Sequence, residues 1–264
     1  MLISLTTFDL SLAAILVLLL AILSWHMQLN ITGQLLVAAL RTAVQLSLIG
    51  LILKAIFENT DILWIILITM IMLSVAGWEI LSRQKRKLKG WWGFSISTGS
   101  LFVSSFVITL LALTVIIQAD PWYEPQYSIP LLGMLLGNTM TGIALGMDRL
   151  IQNAWQQSKV IEQRLMLGQS SVQAIHDIRK ESMRAGMIPI INSMAAAGLV
   201  SLPGMMTGQI LAGASPIEAV KYQILIMFLI TAGTGFGVVT VLWLISHRLF
   251  DERHRLRFEQ LLKK

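Results

Sequence analysis

Seven apolar stretches constrain this chain more than any other feature: Phe8 to Trp25, Leu35 to Phe57, Ile62 to Ile80, Phe94 to Ile117, Ile129 to Met147, Gly186 to Leu211 and Ile224 to Ser246. Each is long enough to cross a bilayer as a helix, which takes roughly 20 apolar residues at about 1.5 Å rise per residue. A run such as Ala13 to Ile22, ten consecutive apolar residues, has none of the alternation of a transmembrane β-strand. The expected fold is an all-α polytopic bundle of about seven spans in a lipid bilayer. Composition agrees, since 13% charged residues in a 264-residue chain that is 55% hydrophobic is far below the roughly 25% charge of soluble domains. No room is left for a large soluble catalytic domain, so residues 1–264 read as one transmembrane domain. The absence of cysteine removes disulfides, thiolate-held zinc, iron–sulfur clusters and thiol catalysis together.

Orientation follows from Lys and Arg, which are retained on the cytoplasmic side. Residues 82–93 hold Arg83, Lys85, Arg86, Lys87 and Lys89; residues 148–185 hold Arg149, Lys159, Arg164, Arg179, Lys180 and Arg184; and Arg248, Arg253, Arg255, Arg257, Lys263 and Lys264 follow Ser246. These are 17 of the 20 basic residues, and with seven spans all three regions fall on one face. The N-terminus is then outside and the C-terminus inside, as in a multi-pass protein of the cell inner (plasma) membrane. The net charge of +6 is accordingly a topology signal, and no nucleic-acid partner is expected. Trp25, Trp64, Trp78, Trp91, Trp92, Trp122 and Trp243 stand at or near span ends, where indole favours the headgroup level. The first ten residues lack Lys and Arg, so the first stretch has no signal-peptide n-region and is expected to remain as a span.

The loop over residues 148–185 is the sizeable polar piece, and its pattern is a helical hairpin. Asp148 to Leu167 contains no Gly or Pro, and Gly168 is placed as a left-handed C-cap residue. Ser170 with Gln173 reads as a capping box opening a second helix, Ser171 to Arg184. On that helix Val172, Ile175 and Ile178 share one side. Such a stripe serves either packing on the chain's own bundle or docking into a partner's groove.

Glu162, Gly168 six residues on and Ile178 ten further resemble the cytoplasmic coupling-loop motif of ABC-transporter permeases. The pattern departs from that motif at Gln163 and Arg164, where alanines are usual, and at Lys180 and Glu181, where Leu-Pro is usual. The runs Gly137-Asn138-Thr139-Met140, Leu165-Met166-Leu167-Gly168, Gly198 to Gly208 and Ala219-Val220-Lys221-Tyr222-Gln223 resemble the Fet-type permease family. That family comprises bacterial permeases implicated in iron export and related plant permeases implicated in aluminium tolerance. The resemblance implies a permease subunit of an ABC-type exporter, itself without cofactor, whose ATP and Mg are bound by a separate cytoplasmic ATPase subunit. It also implies coupling through Glu162, Gly168, Ser170, Ser171, Gln173 and Ala174, and a homodimer of permease halves. The sequence contains no G-x-x-x-x-G-K-[ST] phosphate loop, in keeping with ATP hydrolysis in trans.

For the translocation path, Arg41 lies within the second stretch with Gln45 at i+4, and an intramembrane charge is either functional or snorkels to the interface. The sixth stretch carries Asn192, Ser201, Pro203 and Gly204, so a kink or unwound segment is expected there. Broken helices survive at membrane depth only against protein or a wet cavity, which puts Ser201, Pro203, Gly204, Met205 and Met206 beside the path. Gly133 with Gly137 and Gly142 with Gly146 form two small-xxx-small pairs in the fifth stretch, with Asn138 in their contact region. Methionine can supply soft metal ligands or merely fill a core, and no histidine pair has metal spacing, so a resident metal site stays undefined. Iron as cargo comes from the resemblance; a polar organic solute such as a nucleotide sugar, and a non-ATPase channel or scaffold, are the alternatives. A membrane hydrolase is disfavoured because no nucleophile–base pair sits at depth.

Overall fold

The computed structural model describes residues 6–58, 61–88, 91–257 and 261–263, with side chains for 6–51, 61–86 and 91–257. Lys89 and Lys264 of the basic clusters lie outside the described residues. The chain divides into two compact units, Met1–Thr60 and Asp61–Lys264.

The first unit is a helical hairpin of α1 (Thr7–His26) and α2 (Thr32–Glu58). Thr6 opens α1 with a capping box: its hydroxyl accepts from the Asp9 N–H, while the Thr6 N–H donates to Asp9 Oδ2 at 2.8 Å. The turn between the helices places Gln28 and Asn30 at positive φ, and Thr32 Oγ1 bonds Ser24 Oγ across it at 3.1 Å.

The second unit holds α3 (Ile62–Ser82), α4 (Trp92–Leu111) with a π-helical extension over Ala112–Ile117, α5 (Pro125–Gln156), α6 (Ser158–Met166), α7 (Ser171–Ala174), α8 (His176–Ala196), α9 (Gly204–Leu211) and α10 (Pro216–Arg248). The all-helical expectation holds. Among the described residues the sole strand pairing is Arg86–Leu88 antiparallel to Leu261–Lys263. Among the described residues, α1, α2, α3, α4 with its extension, α5 and α10 are the six helices long and apolar enough to span a bilayer.

The sixth apolar stretch is not a single helix, in keeping with the kink or unwound segment expected there. Residues 186–211 are shared between the end of α8 and the whole of α9, separated by irregular backbone over 197–203. Pro203, which has no N–H to continue a ladder, stands at the N-cap of α9. Most donors of the break bond locally: the Gly198 N–H bonds Ser201 O at 2.9 Å, and the Val200 and Ser201 N–H groups bond Ala196 O at 2.9 and 3.1 Å. Irregular backbone arranged this way tolerates an apolar medium, and the break turns Leu199 and Val200 outward, 91% and 86% exposed.

Helix α5 is the centre of the second unit, packed by α3, α4, α8 and α10. Its Leu135, Ile143, Met147, Leu150 and Ile151 are fully buried, as are Val238, Val241, Leu242 and Ile245 of α10. Lipid tails are as apolar as leucine, so close van der Waals fit rather than water exclusion must hold such helices together. Small residues provide it: a Cβ on Gly142 would fall 2.6 Å from Thr234 Cγ2 and 2.9 Å from the Gly186 carbonyl oxygen, and one on Gly186 would fall 2.7 Å from the Gly142 oxygen. The Gly142 and Gly146 pair is therefore a tight contact within the chain. Gly137 is not, since nothing lies within 4 Å of its Cβ position, and Asn138 is exposed rather than packed between helices.

Candidate functional site

The hairpin over 148–185 grows directly out of the bundle. Instead of one helix from Asp148 to Leu167, α5 runs to Gln156 and α6 follows after a break at Gln157. Gly168 has φ +87°, a left-handed conformation that glycine adopts without penalty, so it turns the chain as the sequence requires. The Ser170 hydroxyl accepts from the Gln173 N–H at 3.4 Å, while the Ser170 N–H donates to Gln173 Oε1 at 2.9 Å, completing the expected capping box. The second arm is not continuous from Ser171 to Arg184, because α7 ends at Ala174 and α8 begins at His176. That restart leaves Val172 exposed, whereas Ile175 and Ile178 join Ile161 and Ala174 in a buried cluster with Ile151, Ile245, Leu249 and Phe250. Arg164 Nη1 clamps the arms by donating to Asp177 Oδ2 at 2.8 Å and to Ala174 O at 3.4 Å.

The hairpin is thus anchored from below, and its tip is bare. Met166 and Leu167 are 85% and 83% exposed, with Glu162, Gly168, Ser170 and Gln173 exposed around them, Ser171 half-buried and Ala174 buried beneath. Two adjacent apolar side chains projecting from a rigid polar rim have the make-up of a docking knob.

The C-terminal segment reinforces this end. After α10 the chain doubles back, with the Arg257 N–H bonding Leu249 O at 2.8 Å and the Asp251 N–H bonding Arg255 O at 2.9 Å. Asp251 Oδ1 accepts from the Arg255 N–H at 2.7 Å and the Arg253 N–H at 2.9 Å. These bonds, the Arg255 one foremost and helped by the charges of Arg255 and Arg257, hold the Asp251 carboxyl below its ordinary 3.8. The turn brings His254 Nδ1 to 2.9 Å from Ser171 Oγ on α7. Since a depressed carboxylate pKa contributes fully above the unfolded value and is lost as pH falls through the folded one, the Arg253 and Arg255 amides should exchange faster only below pH 3.8. Acceleration already under mildly acidic conditions would contradict this.

A second feature lies along the α5–α8 groove. The helices run antiparallel, with Gly142 against Gly186 and Gly146 against Ser182, and Arg149 Nη2 donates to Glu181 Oε1 at 2.7 Å across the exposed side. Asn138 stands eleven residues before Arg149 and Asn192 eleven residues after Glu181. Eleven residues are close to three turns at about 3.6 residues per turn. On α5 this puts Asn138 on the same side as Arg149, roughly 16 Å along the axis, whereas on α8 Pro189 lies between Glu181 and Asn192. Both asparagines are exposed, on the face formed by α5 and α8.

One turn beyond Asn138, Met134 lines a cavity of about 210 Å³ together with Met205, Gln209, Tyr127 and Tyr222. The lining carries no charged side chain, and the Gln209 Oε1 atom is buried without a hydrogen-bond partner among the described residues. Of the residues expected beside a path, Asn138 and Asn192 are exposed on α5 and α8, and Met205 lines the cavity with Met134. Ser201, Pro203 and Gly204 form the break and the start of α9, and Met206 is buried. Arg41 and Gln45 are exposed on α2 in the first unit. Sequence reasoning missed Gln209, Tyr222, the Arg149–Glu181 bridge and the His254–Ser171 bond; of these, only the equal eleven-residue offsets left a trace in the sequence. Among the described residues no three His, Asp or Glu side chains are grouped to hold a metal ion.

Comparison with known proteins places the chain among membrane proteins. The model of UPF0014, an uncharacterised protein family, matches residues 7–250. The UPF0014 membrane protein slr1647 of Synechocystis sp. is 39% identical over 240 residues, 90% of each chain. The probable iron export permease protein FetB of Escherichia coli is 31% identical over 268 residues, 99% of this chain and 98% of that protein. Protein ALUMINUM SENSITIVE 3 of Arabidopsis thaliana is 34% identical over 247 residues, 93% of this chain and 88% of its own. No solved structure matches. With its membrane-spanning helices and a family match over nearly its whole length, this chain is a multi-pass membrane protein belonging to the UPF0014 family.

Proposed function

We propose that this chain is the permease subunit of an ABC-type exporter in the inner membrane, moving iron out of the cytoplasm with ATP hydrolysed as its Mg complex on a separate ATPase subunit. The observation that carries this reading is the bare Met166–Leu167 tip on a hairpin whose arms continue into α5 and α8, the helices of the asparagine face. The likeness to a protein named as a probable iron export permease supports the cargo and the direction. The basic clusters support a cytoplasmic hairpin and C-terminus, with the end of α8 and α9 together making one broken crossing.

The mechanism follows from stiffness. The ATPase subunit grips the tip; two such subunits closing on ATP move a pair of hairpins. Because Ile161, Ala174, Ile175 and Ile178 are buried on the ends of α5 and α10, the hairpin cannot move alone. A close-packed core passes displacement on rather than absorbing it, so α5 and α8 tilt and expose their Asn138–Asn192 face to one side of the membrane and then the other. A cation passing there meets amide and thioether groups that bind weakly enough to release it.

The uncharged cavity beside Met134 favours a second reading, in which the cargo is a polar organic solute. Purification of the chain with its candidate ATPase subunit tests both. The two are expected to co-purify, with ATP hydrolysis rising when ferrous iron is added. Stimulation by polar organic solutes and not by iron selects the second reading, and failure of the subunits to associate overturns the ABC assignment.

A further inference from the structure

We infer that the basic end of the second unit, where the close of α10 meets the start of α4, binds an anionic phospholipid, with Arg248 and Arg86 as its phosphate ligands and Trp91 and Trp92 as its seat at the headgroup level. The inference stands apart from the transport reading, since it calls on no ATPase subunit and no cargo.

Two guanidinium groups are held at this end on indole rings alone. The Arg248 Cζ lies 4.3 Å from the centroid of the Trp92 ring, and the Arg86 Cζ lies 3.9 Å from that of Trp155. Neither side chain forms a salt bridge or a hydrogen bond among the described residues, and Arg248 Nε is buried without a partner. A guanidinium carries five N–H donors in a planar fork, and an indole face offers it charge attraction but no oxygen.

The adjoining segments do not supply the missing anion. Glu79 is taken by Arg83 at 3.4 Å, Asp148 by the Lys85 N–H at 3.0 Å and by Gln152 Nε2, and Asp251 by the Arg253 and Arg255 N–H groups. Glu252 is exposed and pairs with neither guanidinium. The backbone pairing of Arg86–Leu88 with Leu261–Lys263 instead joins two basic segments, with Arg86 opposite Lys263 in register. Phosphate suits such a site, because its oxygens meet a guanidinium fork two bonds at a time.

Depth selects a lipid as the source of that phosphate. Arg248 closes α10 and Trp92 opens α4, two of the helices long and apolar enough to span a bilayer, so their contact sits at the edge of the hydrocarbon. Gln84, two residues before Arg86, donates from Nε2 to Met147 Sδ at 3.2 Å, where the apolar stretch of α5 ends, and Arg86 therefore leaves the bundle at a similar boundary. Trp91 and Trp92 are 81% and 52% exposed, and indole favours this layer. Basic pockets between helix ends at this level are where anionic headgroups bind. A free phosphate would pair the cations and leave the indoles uncovered.

Thermal unfolding of the purified chain, alone in neutral detergent, tests this after addition of phosphatidylglycerol, phosphatidylcholine with the same acyl chains, or glycerol phosphate. Phosphatidylglycerol at saturation is expected to raise the melting temperature about 5 °C beyond phosphatidylcholine, and glycerol phosphate to leave it unchanged. The charge-matched control Lys159→Gln, Lys180→Gln, both exposed on the hairpin, should keep that difference, and Arg86→Gln, Arg248→Gln should lose it. The pair Arg86→Lys, Arg248→Lys preserves both charges, and with them the fold if the glutamine pair fails to fold, but lacks the fork; it should keep only a small part of the difference. Equal stabilisation by the two lipids overturns the inference, as an effect of the acyl chains. A difference that survives either arginine pair undiminished also overturns it, since the lipid then binds elsewhere. A rise with glycerol phosphate alone overturns it in favour of a free phosphate.

Discussion

Replacing Met166 and Leu167 together with aspartate is expected to weaken capture of the proposed ATPase subunit by at least about tenfold, while the chain still folds and inserts. Both side chains are more than four-fifths exposed, and surface changes away from packed features usually alter stability by less than about 0.5 kcal/mol. An apolar anchor buried on binding is commonly worth about 1–2 kcal/mol or more, and about 1.4 kcal/mol is tenfold in affinity. Charged replacements add the cost of desolvating a carboxylate in an apolar socket. The measurement is a titration of detergent-solubilised permease with labelled ATPase subunit. Gly168→Val separates contact from geometry: at φ +87° a β-branched residue costs about 1–3 kcal/mol in strain, so the tip distorts although both anchors remain. That variant should bind weakly and fail to couple hydrolysis to transport. Unchanged binding by the double aspartate chain would mean the tip is not the docking knob.

The second large effect is inside the bundle. Gly142→Ala and Gly137→Ala make the same chemical change on the same helix five residues apart, with opposite expected results. At position 142 the new methyl falls 2.9 Å from the Gly186 backbone oxygen as well as 2.6 Å from Thr234 Cγ2. A flexible side chain could yield, but backbone cannot without parting α5 from α8, and overpacking of this kind costs about 1–3 kcal/mol. For a unit of this size that is a fall of roughly 5 °C in melting temperature. At position 137 the methyl meets nothing within 4 Å, and alanine's better helix propensity is worth up to about 1 kcal/mol. Gly137→Ala should therefore melt at or slightly above the parent temperature in detergent. Equal destabilisation by both changes would contradict the α5–α8 crossing.

These contrasts mark what the sequence discloses. Long apolar stretches identify helices because in hydrocarbon every backbone group must be satisfied within its own segment. Gly168 and the Ser170–Gln173 capping box were legible because both depend on neighbours in sequence. Continuity was not. Hydropathy alone reads Gly186 to Leu211 as one stretch; Pro203 and Gly204 gave the place of the break, but not that the turn before them would separate two distinct helices. The two glycine pairs of α5 look alike in sequence, but Gly142 and Gly146 meet α8 and α10 while Gly137 meets nothing, which only tertiary packing decides. Asn138 and Asn192 were singled out separately as polar groups at depth. That their helices α5 and α8 are joined by the Arg149–Glu181 bridge, a contact 32 residues apart in sequence, is a tertiary fact.

The decisive measurement for the proposed ATP-driven transport is uptake of labelled ferrous iron into inverted membrane vesicles carrying this chain with its candidate ATPase subunit. ATP-dependent accumulation is expected, and it should disappear with an ATPase-dead partner and with the Met166→Asp, Leu167→Asp chain. Accumulation that proceeds equally without ATP or without the partner would contradict it, and would make this chain a channel.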